Sequence, residues 1–315
     1  MSIHKIVDMR DAANLLYTIF PFAWMLKLAS IQGSFDAFML KDLRKRVESN
    51  LKKSFSEEYS TAEIKQMVDD YFVFHRIREM QKILLPRLSP KLVSSLVKFE
   101  GIENLDAAIE QGKGVMLLGS HLNSTVNFIA IHQLRQMGYD VQVVMPSEGD
   151  PFAPSLIGGF LARIFGTKTI LEMVGSFYAQ VNIRPIVKSL SNKSIPMIIG
   201  DGFHSTGFVK GKLLNHEISI TTGPMSVARI TGSPVVPFFM VGPPNDIMVV
   251  FKKAIQVENT GDSNRDIEAA NKIYLDYLDT YIRKNVSTWQ HWEFDHILEL
   301  MKTSLDRSLA ERLHT

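Results

Sequence analysis

The sequence contains no cysteine, and that absence removes disulfides, thiolate metal sites and cysteine nucleophiles together. It suits a chain on the reducing, cytoplasmic side of a membrane. Net charge is nearly absent too: 35 Lys and Arg against 33 Asp and Glu leave a formal +2, which gives no footing for nucleic-acid binding. The apolar run at the N-terminus, Leu15 to Leu26, is broken by Thr18 and Pro21 and closed by Lys27. It falls short of the roughly 20 residues a spanning helix needs. No G-x-S-x-G elbow, Walker A loop, H-E-x-x-H pair or G-x-G-x-x-G turn occurs, so the signatures of serine hydrolases, P-loop proteins, zinc proteases and dinucleotide binders are all missing. Repeats, low-complexity tracts and clear linkers are absent as well.

What is present is globular in character, with 45% hydrophobic and 22% charged residues. Lys41, Arg44, Lys45, Arg46, Lys52 and Lys53 crowd one early segment, and two readings fit: a solvated helix face or a contact with an anionic membrane surface. The run before it also has two readings. It can lie in the membrane interface with Phe20, Phe22 and Trp24 as anchors, or be a buried first helix. A cleaved signal peptide fits less well, because Asp8 and Asp11 spoil its positive start despite the small residues Leu28-Ala29-Ser30.

The first ninety residues read as helical. Ser60-Thr61-Ala62-Glu63 forms a capping box, followed at helical spacing by Ile64, Met67, Val68, Tyr71 and Phe72. Pro86 and Pro90 close that region. Beyond it, strands and helices alternate: strand at 92–99, helix at 104–111, strand at 115–118, helix at 124–137, strand at 141–144, helix at 154–165, strand at 169–171, helix at 181–190, strand at 195–199, helix at 224–230, then strands at 235–241 and 247–251. A long helix over 266–284 and a helical tail end the chain. The pattern predicts an α/β fold, a mostly parallel mixed sheet flanked by helices with a helical N-terminal extension. The expected division is a helical, membrane-associating region over 1–90 and an α/β domain over 91–315.

Open α/β sheets bind ligands beyond the carboxyl ends of their strands. Gly119-Ser120-His121-Leu122-Asn123-Ser124 stands there, between a buried strand and a helix start. Backbone N–H groups at such a turn can hold an anion or an oxyanion. A lone histidine is more often structural than catalytic, but one on a strand-to-helix loop beside Gly, Ser and Asn is a candidate base. His204, in Phe203-His204-Ser205-Thr206-Gly207, reads as a loop residue. Arg163 and Arg184 can meet phosphate or simply be solvated. Some of the 15 Met and 19 Phe can line an acyl groove, although most must be core.

These residues carry a resemblance. Gly112-Lys113-Gly114-Val115-Met116-Leu117-Leu118 followed by Gly119-Ser120-His121 resembles the first motif block of the lipid A late acyltransferases, the bacterial branch of the lysophospholipid acyltransferase superfamily. Phe99-Glu100-Gly101-Ile102-Glu103-Asn104-Leu105 is similar to its strand-glycine-helix lead-in, and Gly200-Asp201-Gly202 to its aspartate segment. Thr221-Thr222-Gly223-Pro224, Ala228-Arg229 and Thr231-Gly232-Ser233-Pro234-Val235-Val236-Pro237 resemble its Thr-Gly-Pro helix and following strand. Trp289 and Trp292 resemble its C-terminal aromatic segment. Each motif is weak singly; their order from about residue 95 to 295 is fairly specific.

The resemblance implies transfer of a fatty acyl group from an acyl carrier protein or coenzyme A thioester to a lipid hydroxyl or amine, without metal or prosthetic group. It implies a location on the cytoplasmic face of the bacterial inner membrane. It also implies a histidine as general base and, five positions on, an acidic residue that orients the ring. The chain departs from this pattern, since Val126 stands at the acidic position. Asn127 and Asn123 are the nearest amides able to hold the ring, and Asp201 or Glu172 can reach it only from another strand end. The candidate catalytic set is therefore His121, Asn127 and Asn123, with Ser120, Asp201, Thr222, Gly223 and Arg163 as candidate substrate contacts. The competing expectation is a catalytically silent relative that binds acyl chains or a protein partner. An oxygen within about 3.2 Å of a ring nitrogen of His121 separates the two.

Overall fold

Short apolar runs bounded by glycine become the central strands, as burial on both faces requires. The computed structural model describes residues 22–84, 90–123, 127–145, 175–178, 183–202 and 207–303. Its strands are β1 (Val97–Glu100), β2 (Met116–Gly119), β3 (Val141–Met145), β4 (Ser176–Tyr178), β5 (Ile195–Ile199), β6 (Phe208–Leu213), β7 (His216–Thr221), β8 (Val235–Val241) and β9 (Ile247–Phe251). Seven of them form one sheet in the order β1-β9-β8-β2-β5-β3-β4, and β6 and β7 make a separate hairpin. Within the sheet β8 and β9 run antiparallel, whereas the other neighbours are parallel. The expected mostly parallel mixed sheet is what forms.

The helices are α1 (Phe22–Met39), α2 (Lys41–Phe55), α3 (Thr61–Leu84), α4 (Pro90–Leu96), α5 (Ile102–Ile109), α6 (Asn127–Gln136), α7 (Arg184–Ser191), α8 (Gly223–Thr231), α9 (Ser263–Lys284) and α10 (Ile297–Lys302). Alternation along β2 divides the core. Met116 and Leu118 pack with residues of α8 and α9 such as Met225 and Tyr274, while Val115 and Leu117 pack with Leu105, Phe128 and Ile131 of α5 and α6.

Two local readings change. The strand expected over 92–99 is α4 followed by β1. Pro90 opens that helix rather than only ending the region before it, since proline at the first helical position loses no hydrogen bond. The β6–β7 hairpin was not expected. Its turn residues Leu214 and Asn215 both have positive φ, 49° and 65°, as a two-residue hairpin turn demands. Leucine gives no sequence signal for that conformation. Here it is held from outside, because Leu214 N–H donates to Asp279 Oδ1 at 2.6 Å. The helix expected over 154–165 and the strand over 169–171 lie outside the described residues, as do Val126, Arg163, Glu172 and His204.

The capping box at Ser60 forms, with Ser60 N–H donating to Glu63 Oε2 at 2.8 Å and Glu63 N–H to Ser60 Oγ at 3.3 Å. α1 lies against α3 along its buried Ala29, Gly33 and Ala37. These small residues at four-residue spacing admit close approach: a Cβ on Gly33 would stand 2.6 Å from Val73 Cα. The opposite face carries Trp24, Ile31, Phe35 and Phe38 in solvent. Among the described residues no helix is long and apolar enough to cross a membrane.

Candidate active site

Register builds this site. β2 and β5 are parallel neighbours with Gly119 opposite Ile199, and Gly200 N–H donates to Gly119 C=O at 2.9 Å. Two residues past each paired end stand His121 and Asp201, brought together at the carboxyl edge of the sheet. The close approach needs glycine at 200, where a Cβ would stand 2.8 Å from Leu118 Cδ1 and 3.0 Å from the Tyr274 hydroxyl. That hydroxyl donates to Gly119 C=O at 2.6 Å and ties α9 to the same strand end.

Asp201 is fully buried, and its oxygens are occupied. Oδ1 lies 2.7 Å from His121 Nδ1. His121 N–H donates to both oxygens at 3.0 Å, and Trp289 Nε1–H donates to Oδ2 at 2.8 Å. Burial alone would raise its pKa, but the His121 charge and hydrogen bond, the His291 charge and the Trp289 N–H together hold it well below the usual carboxylate range. An ionised carboxylate only accepts, so the hydrogen bond to Asp201 puts a proton on His121 Nδ1, and in the neutral ring the lone pair is then on Nε2. Asp201 is buried while the His121 side chain is 31% exposed, so the ring is anchored from behind and open in front.

A C-terminal segment closes the back of the site. Residues 286–288 and 290–293 are short 3₁₀ turns. Between them Trp289 bridges Leu122, Asn123 N–H donates to Thr288 C=O at 3.0 Å, and Gln290 N–H donates to His121 C=O at 3.1 Å. The His291 ring packs on His121, centroids 4.0 Å apart, and its Nε2 lies 2.9 Å from Asp201 C=O. α2 and α3 hold this segment in turn. Asn50 Nδ2 donates to Trp292 C=O at 3.0 Å and to Phe294 C=O at 2.8 Å, and Ser287 Oγ donates to Met67 C=O at 2.9 Å.

The amides expected to hold the ring are placed elsewhere. Asn123 adopts φ 47° and donates through Nδ2 to Met240 C=O and Gly242 C=O at 3.3 and 3.1 Å. Its Oδ1 faces Arg78 Nη1 at 3.5 Å. Asn127 is buried at the start of α6, and the ring nitrogen that it was expected to hold is bonded to Asp201. Asp201 thus stands where an orienting group was sought, not as a substrate contact, because no part of it is exposed. Ser120 is buried and its Oγ accepts from Leu122 N–H at 3.3 Å, bracing the loop. Thr222 and Gly223 open α8, where Thr222 N–H donates to Gly207 C=O at 3.0 Å. Sequence reasoning missed His291 and gave Trp289 no role. The only signal was the Trp-Gln-His-Trp cluster itself.

His121, Asp201 and His291 bring one potential ligand atom each within 4.8 Å of one another, which raises the question of a metal. The hydrogen bonds above already employ Asp201 Oδ1 and Oδ2 and the His121 Nδ1 proton, so the set fits a hydrogen-bonded base better than a cation.

Outside the structure, a family model for bacterial lipid A biosynthesis acyltransferases matches residues 11–293. The chain belongs to that family. Among curated proteins none matches it. Membership covers most of the chain, from within the N-terminal region to the C-terminal aromatic segment. The bracing of β2 by α2, α3 and residues 286–293 therefore falls within the family's extent.

Proposed function

We propose that the protein is an acyltransferase in which His121 is the general base and Asp201 is its positioning residue. The observation that carries this reading is the 2.7 Å contact between His121 Nδ1 and Asp201 Oδ1, joined to membership of an acyltransferase family. Nε2 takes the proton of an acceptor hydroxyl or amine as that atom attacks the thioester carbonyl. The C–S bond of the tetrahedral intermediate breaks, and the imidazolium returns the proton to the departing thiolate. Asp201 keeps the ring in the correct tautomer and stabilises the imidazolium between these steps.

The donor in this reading is a fatty acyl thioester of acyl carrier protein or coenzyme A, and the acceptor a lipid. The reaction takes place at the cytoplasmic face of the inner membrane. Support for the membrane comes from α1. Trp24, Ile31, Phe35 and Phe38 are all exposed, and at about 100° per residue they fall within an arc of roughly 60°. A helix lying in the interface presents such a stripe, and Lys41 and Lys45 begin the next helix beside it.

The deciding experiment is acyl transfer or acyl-thioester hydrolysis by the purified full chain, compared with His121→Ala. Loss of activity with an unchanged melting temperature is expected. Equal activity of the two proteins would overturn the assignment of the base, and silence of both would favour a relative that binds acyl chains without turning them over.

A further inference from the structure

Arg78 on α3 is fully buried, yet only one of its nitrogens is engaged. Nη1 reaches Asn123 Oδ1 at 3.5 Å, a stretched contact. Nε and Nη2 have no hydrogen-bond partner among the described residues. These two nitrogens form a single edge of the guanidinium, whose parallel N–H bonds fit two oxygens of a carboxylate or phosphate. Arg76, on the same helix, has that edge in use: its Nε and Nη2 both donate to Asp36 Oδ2. In Arg78 the same edge is buried and unbonded among the described residues.

A buried cation without bonded compensation is costly, so its retention calls for an occupant. Glu79 and Glu293 offset part of the charge at range, but no described carboxylate bonds to Nε or Nη2. Gln81, nearly one turn along α3, repeats the pattern. Its Nε2 donates to Pro244 C=O, while its buried Oε1 has no described partner. Arg78, through Asn123, and Gln81 thus overlie one shelf, the end of β8 and the loop after it at residues 240–244. Asn123, which Arg78 contacts, stands two residues past His121, so the guanidinium flanks the loop that carries the imidazole.

We propose that the Nε and Nη2 edge of Arg78 is an oxyanion receptor beside His121 that takes a phosphate group of a substrate. The proposal deepens the acyltransfer reading by naming a charge that one substrate carries, and phosphate binding can be measured whether or not transfer occurs. The phosphate belongs either to the phosphopantetheine arm of the donor or to the head of a lipid acceptor.

The test titrates inorganic phosphate into the full chain and into Arg78→Met and Arg78→Lys, against chloride at matched ionic strength. Melting temperature and the Arg78 Nε–H resonance are followed. Phosphate is expected to raise the melting temperature of the parent and shift that resonance. Apparent affinity should fall about tenfold or more in Arg78→Lys, which cannot offer the fork, and the response should vanish in Arg78→Met. Without phosphate, Arg78→Met should melt no lower than the parent, since an unpaired buried charge has been removed. If Arg78→Met fails to fold, the lysine variant and the parent resonance carry the test. An equal phosphate response in parent and variants, or none in the parent, overturns the proposal. In the transfer assay, a KM rise in Arg78→Lys confined to phosphopantetheine thioesters, and absent with unphosphorylated pantetheine thioesters, places the phosphate on the donor. A rise confined to the phosphorylated acceptor places it there. An inactive parent that still binds phosphate through Arg78 defeats the acyltransfer reading and leaves the receptor standing.

Discussion

Trp289 and His121 divide one carboxylate between them: the indole N–H bonds Asp201 Oδ2 at 2.8 Å and the imidazole Nδ1 bonds Oδ1 at 2.7 Å. Because the indole occupies Oδ2, the carboxylate cannot rotate without breaking a bond to a charged acceptor, worth about 1.5–3 kcal/mol. Trp289→Phe keeps much of the ring packing and removes only the donor. We expect kcat to fall about tenfold, with KM changed less than about twofold, because the lost interaction orients the base rather than binds substrate. Steady-state kinetics on a soluble acyl thioester check this, and an unchanged kcat would show the indole to be packing alone.

Asp201→Asn tests the positioning carboxylate directly. An amide in its place presents N–H groups toward donors already there, so the ring loses its tautomer and the imidazolium its counter-charge. A fall in kcat on the order of 10⁴ is expected, as for the corresponding change in a serine-protease triad. The melting temperature should fall too, since buried donors at His121 and Trp289 lose an acceptor.

Asp201 also sets a pH dependence. Its folded pKa is depressed, with the His121 charge and hydrogen bond outweighing burial. Its contribution to stability is therefore complete above the unfolded carboxylate value near 4 and is lost as pH falls from there toward the lower native value. Chemical denaturation of the parent between about pH 5 and 2 should show a steeper loss than that of Asp201→Asn. Parallel curves would contradict the assignment.

Val126→Glu restores the acidic position that the family resemblance implies. With Nδ1 already bonded to Asp201, a second carboxylate has no ring proton left to accept. Activity is expected to change less than about threefold in the parent background. A large gain would mean that Asp201 is a poor substitute for a residue at 126.

The α1 stripe predicts interfacial binding. Replacing Trp24 and Phe38, which are 67% and 70% exposed, by Ser together should weaken co-sedimentation with anionic vesicles about tenfold or more. The folded core should be untouched. Equal partition of the double variant would remove the stripe from the membrane reading.

Much of the fold was legible because apolar runs reveal strands: 195–199, 235–241 and 247–251 form at the expected residues. The helix start at Pro90 and the β6–β7 turn were less so, the turn because its conformation depends on a tertiary partner, Asp279. In the site, His121 was legible from its strand-to-helix loop. Its partner was open between nearby amides and distant carboxylates, and local spacing favoured Asn127 and Asn123. What decided it was strand order. Asp201 lies 80 residues further along and reaches the ring only because β5 is laid beside β2 in register, a neighbour relation that hydrophobic pattern does not encode.

The arrangement of residues 286–293 also bears on when the chain can become active. During synthesis His121 emerges first, Asp201 follows 80 residues later, and Trp289 another 88 after that. Until then the loop at 121–123 lacks its backbone partners at Thr288 and Gln290, and the carboxylate lacks its second donor. On the acyltransferase reading, a growing chain that has yet to make residues 288–290 is an unarmed one, its base present but not yet held.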